Sequence, residues 1–172
     1  MELYIDTISS PIGQVRIITD SECVRAVDFE DYEDRMHELL TRHYGEVSLA
    51  AKKNPLGASA CLEDYFAGDI DAINAIKVAD HGSEFQRKVW RMLREIPGGK
   101  TWSYGELAKA IGKPSASRAV GLANGSNPIA LVVPCHRVIG ANGALTGYGG
   151  GINRKQWLLE HEGALPQQTL AL

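Results

Sequence analysis

Cys135 has the sequence environment of a nucleophile. It lies between Pro134 and the pair His136-Arg137. The thiolate is the form of cysteine that reacts, and an adjacent imidazole or guanidinium lowers the pKa of a thiol toward neutrality. Buried cysteines more often serve as inert packing residues, so the Cys-His pair alone leaves both interpretations open. Cys135 is therefore the first candidate for covalent chemistry.

A glycine-rich segment follows Cys135 and leads into a predicted terminal helix, residues 153–162. The segment contains one aromatic residue, Tyr148, and its glycines are Gly140, Gly143, Gly147, Gly149, Gly150 and Gly151. Such a segment can wrap a flat ligand with backbone donors and an aromatic ring, or it can be a set of turns. Glu162 ends the helix, where it can orient a histidine, although a terminal glutamate is more often solvated.

Composition is typical of a globular protein from a reducing compartment. A hydrophobic fraction of 44% can supply the core of one substantial domain or two small ones. The cysteines Cys23, Cys61 and Cys135 are odd in number and widely spaced, which argues against a disulfide framework. Residues 1–8 lack a basic cluster, and no stretch approaches the ~20 apolar residues of a membrane span. We expect a cytoplasmic protein without membrane association.

Charge is distributed unevenly along the chain. The net charge is −3, but residues 1–80 hold 16 acidic and 7 basic side chains, whereas residues 81–172 hold 5 acidic and 11 basic ones. The second part, with a net charge of +6, is the candidate for contact with phosphate groups. Ordinary surface variation explains the asymmetry equally well, so other features must decide.

The first part of the chain predicts a small sheet and two helices. Strands are predicted at residues 3–8, 14–19 and 24–29, and helices at 31–44 and 57–66, the latter closed by Gly68. The irregular stretch 69–82 is expected to hold one more strand and then a linker. We predict a domain boundary there, giving domains 1–80 and 81–172, because the charge changes sign at the same place.

The second part predicts helices arranged as a helix-turn-helix. An amphipathic helix over residues 85–96 ends at Pro97-Gly98-Gly99. Ser103 and Glu106 have the spacing of a capping box, and a short helix follows to Ile111. A turn at residues 112–114 and a capping Ser115 then introduce a second helix, residues 116–123. A plain helical hairpin in a core gives the same spacing, so DNA binding is one of two interpretations.

Small side chains dominate that second helix. They are Ala116, Ser117, Ala119, Gly121 and Ala123, and the one long cation among them is Arg118. Small residues let a helix approach a partner surface closely, so that Arg118 projects beyond its neighbours. Small residues would allow tight packing against another helix equally well.

Taken together, these motifs resemble the bacterial O6-alkylguanine-DNA alkyltransferases. The resemblance is carried by Pro134-Cys135-His136-Arg137-Val138, Arg118-Ala119-Val120-Gly121, Asn127-Pro128, Gly147-Tyr148 and the segment from Lys155 to Gly163. It spans residues 85–163 without a visible gap and is weaker over residues 1–80. It implies an α+β fold, in which a small ribonuclease H-like α/β domain precedes a mainly helical, winged-helix-like domain with the helix-turn-helix.

The resemblance also implies a role for each site residue. Cys135 would accept the alkyl group from guanine O6, and also from thymine O4, as a stable thioether, so that each molecule acts once. His136 would take the thiol proton through a water, Glu162 would hold the imidazole, and Asn127 would brace the site. Tyr104 would donate a proton toward the leaving base. Tyr148, Val138 and Gly149 would hold that base.

Double-stranded DNA is the partner that the resemblance implies, bound through the minor groove by a monomer. A duplex base cannot present O6 to a buried thiol, so the nucleotide must rotate out of the stack, and Arg118 would fill the vacated space. Further DNA contacts are expected from Tyr104, Lys113, Ser115, Ala119 and Gly121. Binding mainly through backbone phosphates suits a protein that must find damage in any sequence.

The chain departs from the family pattern in two places. Some members hold a zinc ion with two cysteines and two histidines, but only Cys23 and His81 match here, so we predict neither metal nor cofactor. Gly149 replaces a frequent serine, which puts the acceptance of large adducts in doubt. The rival readings are a non-catalytic damage binder, which has tryptophan in place of Cys135, a transcriptional regulator, and a cysteine hydrolase.

Overall fold

The computed structural model describes residues 1–165 and has a mixed α+β fold. The first part of the chain contains β1 (Glu2–Ser10), β2 (Gly13–Thr19), β3 (Val24–Phe29), α1 (Glu33–Tyr44), β4 (Ser48–Ala51) and α2 (Ala58–Phe66). The three strands and two helices predicted from the sequence all form. β4 was not predicted.

The strands form one sheet in the order β3-β2-β1-β4. β1 and β2 are joined by a tight turn, in which the Ser10 hydroxyl donates to the carbonyl of Gly13 at 2.5 Å. Gly13 has a φ of +119°, a conformation that favours glycine. β1, β2 and β3 are antiparallel neighbours, whereas β4 is parallel to β1. The sheet can therefore bury side chains on both faces.

Each face of the sheet is covered by one helix. On one face Met36 and Leu40 of α1 pack with Leu3, Ile18 and Ala26 of the strands. On the other face α2 packs against β1, and its Leu62 and Tyr65 join a larger core. This second core continues into the C-terminal half of the chain.

The second part of the chain is mainly helical. It contains α3 (Glu84–Leu93), β5 (Trp102–Ser103), α4 (Tyr104–Ala110), α5 (Ser117–Gly125), β6 (Val138–Ile139) and α6 (Ile152–His161). β5 and β6 form a two-stranded parallel pair. α3 and α4 begin with capping boxes, the second of which is the predicted pair of Ser103 and Glu106.

Two local predictions are wrong. Ser115 does not cap α5, because the helix begins two residues later and Ala116, which cannot cap with its side chain, occupies the N-cap position. The stretch 69–82 forms no strand but a 3₁₀ helix, Ile70–Ala75, and a single bridge between Val24 and Val78. Gly68 does end α2 with a positive φ of +120°.

The two parts of the chain meet along β3. The amide of Val27 donates to the carbonyl of Pro128 at 3.1 Å, and Val27 accepts from the amide of Ala130 at 3.0 Å. These bonds fix the apolar run that leads to Cys135, in which Leu131 has a φ of +70°. Among the helices of residues 1–165, none is long and apolar enough to cross a membrane.

Candidate DNA-binding and alkyl-acceptor site

α4 and α5 form the predicted helix-turn-helix. Val120, Ala123 and Asn124 lie on the buried face of α5. The ring of Tyr104, the first residue of α4, lies over Gly121, where an added Cβ would be 3.7 Å from the ring. That distance is ordinary van der Waals contact, so packing here does not itself require glycine.

The opposite face of α5 is exposed and carries the predicted DNA contacts. Arg118 and Ala119 are exposed, and so are Lys113 and Ser115 in the preceding turn. Leu122, one helical turn after Arg118, is 74% exposed. An exposed leucine beside an arginine on a surface of small residues suits contact with a partner.

Cys135 lies at the start of a 3₁₀ turn, Cys135–Arg137, and is buried. Two asparagines hold the approach to this turn. Asn124 donates to the carbonyl of Cys135 at 3.3 Å, and Asn127 donates to the carbonyl of Val133 at 2.8 Å. The Asn127 side-chain oxygen also accepts from the amide of Ile129 at 3.0 Å. Asn127 thus fixes the turn in front of the thiol.

His136, Arg137 and Glu162 form a buried polar cluster. Nε2 of His136 lies 2.8 Å from Oε2 of Glu162. Arg137 donates to Glu162 through Nε at 2.8 Å and Nη2 at 3.1 Å, and to the carbonyl of Ile96 at 2.8 Å. Nδ1 of His136 is buried and has no hydrogen-bond partner among residues 1–165. The imidazole is therefore anchored at one nitrogen, and the other can serve the thiol.

The pKa of Glu162 and the pKa of Cys135 are shifted in opposite directions. Burial raises the pKa of Glu162, but the charge and hydrogen bond of His136 and those of Arg137 outweigh it and hold the pKa well below its usual range. Burial raises the pKa of the Cys135 thiol, and Asn127, Arg35 and Lys155 offset this only in part. The sequence-based expectation of a lowered thiol pKa is therefore wrong for the free protein.

The glycine-rich segment places Tyr148 beside this cluster. The Tyr148 ring is buried and makes an edge contact with His136, with centroids 6.3 Å apart. Burial raises the pKa of Tyr148 well above its ordinary value, and the hydroxyl has no partner among the described residues. At Gly150 an added Cβ would lie 2.7 Å from the Tyr148 ring. Glycine there lets the ring approach the backbone closely.

Arg35 reaches the same region from α1. Its guanidinium donates to the carbonyl of Asn127 at 3.3 Å and lies 3.9 Å from the carboxylate of Asp28. A side chain on Gly149 would overlap this guanidinium. The guanidinium of Arg35 therefore occupies the space that a serine side chain, frequent in the family at position 149, would need.

Lys155 connects the segment to α6. Its ammonium is buried and donates to the carbonyls of Val138 at 2.5 Å and Thr146 at 2.8 Å. The Thr146 carbonyl also accepts from the Tyr104 hydroxyl at 3.2 Å. The predicted base contacts at Val138 and Tyr104 thus share one hydrogen-bond network.

Sequence reasoning missed four residues of this site. Arg137 was read as a cation beside the thiol, yet it pairs with Glu162. Lys155 lies in a segment that carries the family resemblance, but the resemblance implies no role for it. Arg35 and Tyr65, whose hydroxyl donates to Oε2 of Glu162 at 2.6 Å, come from the first part of the chain, and no local signal links them to Cys135. Five of the predicted residues, Cys135, His136, Asn127, Tyr148 and Glu162, are buried. Among them, His136 contacts both Glu162 and Tyr148.

The fold and the site define a class: proteins that present a helix-turn-helix beside a buried Cys-His-Glu cluster. Residues 84–164 match the family model described as "6-O-methylguanine DNA methyltransferase, DNA binding domain". The methylated-DNA–protein-cysteine methyltransferase of Salmonella typhimurium is 49% identical over 96% of this chain and 98% of its own. That of Methanosarcina acetivorans is 46% identical over 94% and 99%. The chain belongs to the methylated-DNA–protein-cysteine methyltransferase family.

Solved structures agree with this assignment. The Mycobacterium tuberculosis OGT in complex with DNA is 41% identical, with a TM-score of 0.77 over 95% of this chain and 94% of that one. The O6-methylguanine-DNA methyltransferase of Pyrococcus kodakaraensis is 28% identical, with a TM-score of 0.70 over 94% and 99%. Both similarities cover the first part of the chain as well as the second.

Proposed function

We propose that this protein repairs O6-alkylguanine in DNA by moving the alkyl group irreversibly onto Cys135. The observation that carries the proposal is the buried Cys135 next to an imidazole that Glu162 anchors at 2.8 Å. The relatives in the family are named for the transfer of a methyl group from DNA to a protein cysteine. O4-alkylthymine is the expected second substrate.

The transfer is a direct displacement. The Cys135 sulfur attacks the alkyl carbon, a C–S bond forms, the C–O6 bond breaks, and its electron pair stays on the guanine. The thiol proton moves through a water to Nδ1 of His136, and the ionised Glu162 stabilises the imidazolium at Nε2. Because burial keeps the resting thiol protonated, this proton transfer activates the nucleophile. A thioether has no evident route back to a thiol, so each molecule acts once.

Tyr104 supplies the proton that the leaving guanine needs. Its hydroxyl lies at the edge of the glycine-rich segment, 3.4 Å from the position of a Cβ added to Gly147. Tyr148 provides the flat surface for the base, and the backbone at Val138 and Gly149 holds the base edge. Asn127 keeps the turn before the thiol in place, which is supported by its two bonds to the backbone of Ile129 and Val133.

DNA is the partner of the exposed face of α5. We place this face in the minor groove, with Ala119 and Gly121 allowing close approach and Arg118 filling the space of the flipped nucleotide. Lys113 and Ser115 in the preceding turn are placed to contact phosphates. The monomer is the proposed binding unit.

We further propose that the chain divides into domains 1–80 and 81–172. The sheet order β3-β2-β1-β4, with a helix on each face, supports a ribonuclease H-like first domain. The pairing of α4 and α5 beside the β5–β6 pair supports a winged-helix-like second domain.

Mass spectrometry tests the proposed reaction. Duplex DNA containing one O6-methylguanine should raise the mass of the intact protein by one CH₂, and peptide mapping should place it on Cys135. Cys23 and Cys61 serve as internal controls, and Cys135→Ala should bind the DNA without gaining mass. An unchanged mass, or a methyl group on either control cysteine, would falsify the mechanism.

A further inference from the structure

Tyr65 brings a hydroxyl from the first part of the chain to the Glu162 carboxylate. It lies on α2, and its hydroxyl donates to Oε2 of Glu162 at 2.6 Å across 97 positions of sequence. The side chain is fully buried. A buried tyrosine hydroxyl needs a polar partner, and Glu162 is the partner here. Phenylalanine would fill almost the same volume, so core packing does not explain the hydroxyl.

With this bond the Glu162 carboxylate accepts four hydrogen bonds. Oε2 accepts from Tyr65, from Nε2 of His136 at 2.8 Å and from Nη2 of Arg137 at 3.1 Å. Oε1 accepts from Nε of Arg137 at 2.8 Å. An ionised carboxylate offers about four acceptor sites, and four donors reach this one, three of them on Oε2. The donors also come from two sides, the 3₁₀ turn and α2, which leaves the carboxylate a single orientation.

We propose that Tyr65 is a positioning residue for alkyl transfer. By fixing the ionised Glu162, it sets the direction in which the imidazole of His136 faces Cys135. This inference rests on the proposed function and deepens it, because it makes the first part of the chain contribute to the chemistry. Tyr65 does not touch the substrate, so its effect must be on the rate of transfer and not on DNA affinity.

Proton binding at the cluster should change when the Tyr65 hydroxyl is removed. The charged and titratable groups that face Glu162 and Tyr65 are His136 and Arg137 from the turn, His161 from α6 and Tyr148 from the glycine-rich segment. A donor to an ionised carboxylate favours its charged form, so loss of the donor favours the protonated form. The acid limb of the pH–rate profile should therefore move to higher pH.

The test compares Tyr65→Phe with the wild type under single-turnover conditions. Duplex DNA with O6-methylguanine is supplied at saturation, and the rate constant, the final extent of transfer and the DNA dissociation constant are measured. Loss of one hydrogen bond to a charged group predicts a rate constant about tenfold lower. The dissociation constant and the extent of one methyl group per molecule should not change. Tyr44→Phe, which removes a half-buried hydroxyl remote from Glu162, is the matched control and should react like the wild type.

A double-mutant cycle completes the test. In a Glu162→Gln background, Tyr65→Phe should cause little further loss, because the charge it serves has gone. The inference is overturned if Tyr65→Phe keeps the wild-type rate constant and pH profile. It is also overturned if only the extent falls, since a reduced folded fraction lowers the extent and leaves the rate constant unchanged. A wild-type protein that takes up no methyl group overturns the proposed function itself, and this inference with it.

Discussion

Lys155 is a buried cation, and its effect on the free energy of unfolding can be measured from the pH dependence of stability. Its ammonium is shielded from solvent and donates to two backbone carbonyls. Burial lowers its pKa from 10.5 to about 8, and the nearby Cys135 opposes the shift. Between these two values the unfolded chain holds the proton while the folded chain has released it. Stability should therefore rise with pH across this window, and the penalty is fully present below it.

The magnitude follows from the size of the shift. A difference of about 2.5 pKa units corresponds to about 3 kcal/mol at neutral pH. This destabilisation should decrease by about 2 kcal/mol between about pH 7 and 9.5, because the folded chain releases the proton over this range while the unfolded chain still holds it. Lys155→Met keeps an unbranched stem and removes the titrating group, so contributions from other groups cancel when the two proteins are compared. The unfolding free energy of the wild type minus that of the variant should rise by about 2 kcal/mol over this range.

Urea denaturation under reducing conditions at both pH values measures this difference. Lys100→Met removes an exposed lysine and should give a difference that does not change with pH. If the Lys155→Met difference is equally flat, the ammonium is not held in the low-dielectric setting described above. A difference that falls with pH would mean that the folded state favours the charged lysine, which reverses the reasoning.

Three further substitutions test other parts of the site. Arg118→Ala should lower transfer from duplex DNA far more than transfer from a free O6-alkylguanine base; equal losses in the two assays would mean that Arg118 does not act on the duplex. Gly150→Ala should cost about 1–3 kcal/mol in urea denaturation, because the added Cβ would lie 2.7 and 2.9 Å from carbons of two aromatic rings. Gly125→Ala, which meets open space, is its control and should be neutral or stabilising. Arg137→Met should cost about 3–5 kcal/mol in the same assay, since it leaves the Glu162 carboxylate buried without its main cation; a cost under about 1 kcal/mol would contradict that pairing.

Local signals predicted the parts of the fold that local physics determines. The spacing of Ser103 and Glu106 predicts a capping box because both partners lie within one helical turn, and that box is present. Ser115 failed as a cap because it lies inside the turn closed by the bond from the Ala116 amide to the Lys113 carbonyl, which leaves Ala116 as the N-cap of α5. β4 was missed because it is four residues long, half-buried and parallel to β1, a strand that lies far from it in sequence.

The site divides in the same way. The motif around Cys135 and His136 is contiguous, so its chemistry can be read from the sequence. The role of Glu162 followed from the family resemblance alone, since a glutamate at a helix end has no local sequence feature that marks it as buried. Tyr65 reaches Glu162 across 97 positions of sequence, and Arg35 reaches the carbonyl of Asn127 across 92. Their positions depend on how the sheet and its helices pack against the second part of the chain, and no local pattern carries that information.

On the proposed mechanism, the burial of Cys135 protects an acceptor that can be used once. Oxidants and stray electrophiles attack the thiolate form of cysteine. Burial raises the pKa of this thiol and so keeps it protonated in the resting protein. The proton leaves through His136, whose other nitrogen is tied to Glu162. The thiol is thus activated only where a flipped base and His136 are both next to it. The burial that suppresses ionisation of the resting thiol therefore also makes Cys135 selective for adducts carried by DNA.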